Sequence, residues 1–240
     1  MNSPLAHTMN DHIFKKFDAE LETIRTRVLQ MGGMVEVQIA RALDGFASGD
    51  IDELDEVINN DKRINELEVE LDEACTHLIA RRQPTAGDLR LVMTVIKMIT
   101  DLERIGDEAK KVAKLSRRQH TAETPYVPRI ELRHAASIAV DMLRKTLDAF
   151  ARLDVSTAAD VVRQDKDVDA EFKGIIRQLI TFLMEDPRTI TRGIDTLFMA
   201  KAIERIGDHA KNMAEHVVYL VNGRDVRHAG LAEIEKEAAR

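Results

Sequence analysis

The sequence is short of aromatic residues, of cysteine and of long apolar runs, and each shortage narrows what the chain can be. Aromatics make up 4% of the 240 residues, with no Trp and two Tyr. Strands draw on aromatic and β-branched side chains, so this scarcity points away from a sheet protein. The single cysteine, Cys75, has no internal disulfide partner. That suits a reducing compartment, with Cys75 acting as a small buried apolar group. Between Met1 and Lys16 there is no apolar core of signal-peptide length. No run approaches the roughly 20 apolar residues needed to cross a bilayer. The expectation is a cytoplasmic protein that meets a membrane only through partners. Excess positive charge is missing too. The formal net charge is -7, which disfavours binding to a phosphate backbone, so nucleic acid is not expected as a partner. There is no Gly-rich phosphate loop and no evident nucleophile with a base beside it, so no enzyme is expected.

What is present is a duplication. Glu103-Arg104-Ile105-Gly106-Asp107 returns as Glu204-Arg205-Ile206-Gly207-Asp208, and eight of eleven positions match across residues 103–113 and 204–214. Leu43-Asp44-Gly45-Phe46-Ala47 is answered by Leu147-Asp148-Ala149-Phe150-Ala151, Asp61-Lys62 by Asp165-Lys166, and Pro84 by Pro187. The offset drifts from 104 through 103 to 101, as short loop deletions would make it. Matches in the same order along both halves identify two copies of one unit.

Apolar residues recur at helical spacing in each copy. Phe14, Phe17, Leu21, Ile24, Val28, Met31, Val35 and Ile39 trace one face of a long helix. Gly32-Gly33 lies inside it and is a place for softening or a kink. A second helix runs from Ile51 to Leu78 and a third from Leu91 to Val112. The second copy repeats the plan over 135–150, 161–183 and 190–220. Breaks fall at Ser48-Gly49-Asp50, Arg82-Gln83-Pro84-Thr85 and Asp186-Pro187, where capping residues and proline stop or start helices. Thr124-Pro125-Tyr126-Val127-Pro128 joins the copies. The chain therefore reads as all-α. Two tandem three-helix bundles are expected over residues 10–120 and 128–222, related by a twofold or a translation. A charged C-terminal tail, loosely held, is expected over 223–240.

The chemistry lies in acidic pairs. Glu103/Asp107, Glu204/Asp208 and Asp165/Asp169 are each four residues apart and share a helix face. Like charges at this spacing cost roughly 0.2–0.5 kcal/mol, so something should offset them. One answer is an ion-pair ladder using Lys110, Lys111 and Lys211. The other is a metal site in which acids from adjacent helices meet. In the first copy Asp61 answers Asp165, but Asn65 stands where Asp169 would, and offers only a neutral carbonyl oxygen. Gly106 and Gly207, each between two acids, fit close helix approach or room for a metal. Arg81, Arg82 and Arg90 cluster at a loop, with Arg188 and Arg192 in the matching region. They read as helix caps and solubilising charge, or as a partner-docking surface. Glu131 and His134 have the spacing of a di-iron ligand pair but occur once, so they read as surface.

The paired Glu-Arg-Ile-Gly-Asp segments, the stretch from Ala80 to Met93, the opening Phe17 to Arg25 and the run Gln178 to Asp186 together resemble the PhoU family over nearly the whole chain. The resemblance implies a pair of three-helix bundles, commonly dimeric. It implies a negative regulator of the phosphate-starvation response, linking a phosphate ABC transporter ATPase to a phosphate-sensing histidine kinase and limiting phosphate uptake. It also implies metal ions (Fe, Mn, Mg or Zn) on the pairs Glu103/Asp107, Asp165/Asp169 and Glu204/Asp208. Asp61, which answers Asp165, is the further candidate ligand in the first half, where Asn65 departs from the family's usual acid. The alternative is a carboxylate-bridged metal bundle with an enzymatic or storage role.

Overall fold

A computed structural model describes residues 4–121, 130–227, 229 and 231–238. Among these there is no strand. The first half is α1 (Pro4–Ser48), α2 (Ile51–Arg82) and α3 (Ala86–Thr121). The second is α4 (Arg133–Arg152), α5 (Val155–Glu185) and α6 (Ile190–Asn222), with a 3-10 turn at Pro187–Thr189 before α6. A short α7 (Leu231–Ala238) follows. The expected joining segment at 124–128 lies outside the described residues.

Local chemistry sets the breaks. Asp50 caps α2, its Oδ1 accepting from Glu53 N at 3.1 Å. Asp154 caps α5 in the same way, accepting from Ser156 N at 3.0 Å. These side chains satisfy backbone donors that have no partner inside the helix. Gly32-Gly33 does not break α1, which runs through both. Gly32 is instead where α1 crosses α4, since a Cβ there would run into the Leu147 side chain.

The two halves are related as by a twofold. α3 and α6 share the most extensive contact in the molecule and run antiparallel. Arg118 meets Asp195 at one end, Glu108 meets Arg205 near the middle, and Arg90 lies over Gly223 at the other end. α1 and α4 are also antiparallel, with Arg25 at the carbonyls of Phe150 and Ala151 and Arg133 pairing with Asp44. α2 and α5 sit outside this central four-helix layer. One apolar core runs through both halves, with Met31, Leu71, Leu102, Leu143, Phe150 and Met213 fully buried.

The tail is more ordered than its composition suggests. Val226 and Ile234 are buried, and Asn222 Nδ2 donates to the Glu237 carbonyl at 3.1 Å. Arg163 pairs with Glu235. Ile234 and the Arg163–Glu235 pair dock α7 on its neighbours, Arg224 pairs with Glu237, and Val226 seats the chain before it, so the segment is held despite its charged composition.

Candidate functional site: two acid grooves

Each half carries an acidic groove between its second and third helices. They exist because the second helix packs very close to the third. A Cβ on Gly106 would lie 3.3 Å from Ile64 Cδ1, and one on Gly207 3.3 Å from Val168 Cγ1. The bare backbone lets α2 approach α3, and α5 approach α6.

In the first groove Asp61 is 1% exposed and faces α3. Its Oδ2 accepts from Lys110 Nζ at 2.6 Å, and its Oδ1 is 3.4 Å from Gln38 Nε2. Lys110 also lies 3.7 Å from Asp107. Arg104 flanks both Glu103 and Asp107. Burial, then the Asp107 charge, pushes the Glu103 carboxyl above its ordinary value, and Asp61 adds to the effect. The hydrogen bond to Asp61 holds Lys110 above the usual lysine range. Asn65, one turn beyond Asp61, has its Oδ1 buried with no hydrogen-bond partner.

The second groove repeats this plan. Asp165 Oδ2 accepts from Lys211 Nζ at 2.7 Å. Lys201 Nζ donates to Glu204 Oε1 at 2.6 Å and stacks over the Phe172 ring at 5.3 Å. Burial, then the charges of Glu204 and Asp165, raises the Asp208 carboxyl. Burial pulls Lys211 down, but the Asp165 hydrogen bond and nearby carboxylates outweigh it, and the net shift is upward. Asp169 is half-buried and forms no ion pair with a described residue. Glu215, two turns beyond Asp208, is pushed up to about 7 by burial, with Asp165 and Asp225 adding to the rise against Lys211.

Asp107 and Asp61 are near enough to act on the Glu103 charge, and Glu204 and Asp165 on that of Asp208. The lysines reach across the groove to the neighbouring helix as well as along their own. The carbonyl of Asn65 and the carboxylates are hard oxygen donors suited to Mg, Mn or Fe. Their placement holds an ammonium group in each groove. Among the described residues no three His, Cys, Asp or Glu side chains are close enough to hold a metal ion.

The arginine cluster separates into different roles. Arg82 forks onto Glu20 at 3.0 and 3.2 Å. Arg90 covers the end of α6 at Gly223. Arg192 donates to the Gln119 carbonyl at the end of α3, at 3.1 Å. Arg81 stays exposed. His134 faces Glu171 at 3.7 Å on the surface. Cys75 is fully buried, and burial pushes its thiol up to about 12.

Sequence reasoning missed one polar cluster at the joint between halves. Asp101 of α3 accepts from His209 at 2.8 Å and lies 3.4 Å from His216, both on α6. Burial alone would raise the Asp101 carboxyl, but the two imidazole hydrogen bonds lower it overall. The repeat gives no hint of this, because Ala202 answers Asp101 and Glu108 answers His209.

A duplicated three-helix bundle with paired acid grooves defines the structural class. The PhoU domain matches residues 28–116 and again 132–217. The chain is 46% identical over 229 residues to the phosphate-specific transport system accessory protein PhoU of Escherichia coli, covering 95% of this chain and 94% of that protein. It is 45% identical over 232 residues to the PhoU homolog of Pseudomonas aeruginosa, covering 96% and 95%. The crystal structure of the Pseudomonas aeruginosa PhoU superposes with a TM-score of 0.83 at 44% identity, over 87% of this chain and all of that one. The phosphate transport system regulatory protein PhoU of Streptococcus pneumoniae gives 0.81 at 28% identity, over 88% and 99%. The chain belongs to the PhoU family.

Proposed function

We propose that this chain is a cytoplasmic, non-catalytic adaptor that holds the phosphate-starvation response off when phosphate is plentiful. In this reading it links the ATPase of a phosphate ABC transporter to a phosphate-sensing histidine kinase and limits uptake, working as a homodimer. The observation that carries it is the match of both bundles, end to end, to proteins named as accessories of phosphate transport. No described helix is long and apolar enough to cross a membrane, in keeping with membrane contact made through partners. Deleting the gene should leave starvation genes expressed in high phosphate. Normal repression in the deletion strain would refute the reading.

A second reading, cation binding in the grooves, is favoured by the orphaned Asn65 carbonyl and by the Glu103 and Asp208 carboxyls, whose proton affinity is raised by burial and then by neighbouring carboxylates. A metal there would have to displace Lys110 or Lys211 from its aspartate. Metal analysis of purified protein, with the lysines intact and replaced, tests it.

A further inference from the structure

The second half carries an exposed apolar stripe that the first half has only in part. Five of the eleven exposed large hydrophobics among the described residues lie at one place, Ile180 and Met184 near the end of α5 and Ile190, Ile194 and Phe198 at the start of α6. Met184 is 79% exposed. The α6 residues are spaced four apart and form one line along the helix. The first copy keeps this partly, with Leu89 and Met93 answering Ile190 and Ile194. At the positions of Ile180, Met184 and Phe198 it has His77, Arg81 and Lys97. The two copies share one plan, so the difference marks a surface specialised in the second. Apolar side chains gathered on an exposed surface commonly mark an interaction site.

Charge says what fits. The protein is acidic, with a net charge of -7, yet residues 173–201 hold five Lys/Arg against three Asp/Glu. Lys173 and Arg177 lie on the same face of α5 as Ile180 and Met184, at steps of four, three and four. Both are exposed, and neither is in an ion pair with a described residue. The stripe runs lengthwise. From Lys173 to Met184 is about 16 Å of helix and from Ile190 to Phe198 about 12 Å, a seat for roughly three turns. A second copy docking through the same face would set cations against cations.

We propose that this α5/α6 stripe seats an amphipathic helix of a partner protein, with apolar side chains laid against Ile194 and Met184 and acidic ones against Lys173 and Arg177. Helix-in-groove docking of this kind reads as apolar anchors at helical spacing with charge at the rim. The proposal rests on the adaptor reading and supplies one of its contact surfaces.

The test uses the full chain in its deletion strain, with the photo-crosslinking residue p-benzoylphenylalanine placed at position 194 and, as a control, at exposed Val69 of α2. Cross-linked peptides are mapped by mass spectrometry. The expected product is a helical partner segment with more Asp and Glu than Lys and Arg. Its yield should fall about tenfold when Met184→Asp and Arg177→Glu are combined, as loss of a central anchor implies. Thermal melts check that the variant is folded. Cross-links to lipid, to a second copy or to a segment without acidic excess would overturn the proposal, as would a yield no higher than at position 69. If the wild-type chain fails to restore repression, the adaptor reading fails. If the doubly substituted chain restores it as fully as wild type, the docking seat alone fails.

Discussion

Lys211 Nζ lies 2.7 Å from Asp165 Oδ2, and Lys110 repeats the contact on Asp61 at 2.6 Å in the other half. Each ammonium reaches from the third helix of its bundle to the second, and each ends beside a pair of carboxylates four residues apart. The duplication has preserved a counter-cation along with the acids.

Replacing that cation should expose the repulsion it masks. Lys211→Met leaves Asp165, Glu204 and Asp208 facing one another, and a loss of about 2 kcal/mol at pH 7 is expected. For a chain of this size that lowers Tm by about 5 °C. Millimolar Mn²⁺ should recover more of the loss in the variant than it adds to wild type, through binding to the folded state alone. Calorimetry with and without the ion decides. Equal shifts in both proteins would rule out exchange between lysine and metal.

Glu215 should give the second half a pH dependence. Its carboxyl titrates at about 7 in the fold, above the ordinary 4.5. A folded value raised this way favours the protonated form. The stability it contributes is fully present below about 4.5 and is lost as pH rises through 7. Glu215→Gln keeps the neutral shape at every pH. Between pH 5 and pH 8, wild type should lose about 2 kcal/mol more than this variant, after allowing for partial solvent screening. Urea unfolding at the two pH values measures the difference.

Asp101 works in the opposite sense. Its folded carboxyl is lowered by His209 and His216 despite burial. Its contribution is present above the ordinary carboxylate value of 3.8 and disappears as pH falls through the folded value. Asp101→Asn should cost about 1–2 kcal/mol at pH 7 and converge on wild type in strong acid. Because the contact joins α3 to α6, loosening should show as faster amide exchange along that interface.

Arg82 and Arg81 should separate structure from surface. Arg82→Ala removes a fork onto Glu20 that ties α2 to α1, and the melting temperature should fall. Arg81→Ala should leave the melting curve unchanged, since its side chain is exposed. A stability loss at Arg81 equal to that at Arg82 would contradict the assignment.

The sequence made the bundles legible because their periodicity repeats. Val28, Met31, Val35 and Ile39 were spaced for one buried face, and all four are buried. Asp61 and Glu103 could be paired on paper because the repeat aligned them with Asp165 and Glu204. Spacing along one helix could not reveal that Lys110 and Lys211 reach across to the next. It could not show Asp101 meeting His209 either, because that contact joins helices 108 positions apart and the other half does not mirror it. The choice between twofold and translation was closed to sequence for the same reason. The docked tail was hidden by composition, since two apolar side chains in the right places outweigh a charged average.

The antiparallel lay of α3 and α6 also fixes a length. Leu89 and Ile190 lie in the first turns of the equivalent helices of the two halves, yet they stand at opposite poles, separated by about 50 Å of helix. Two bodies gripped at those poles would be held apart like the ends of a strut, too far to touch each other except through their own extensions.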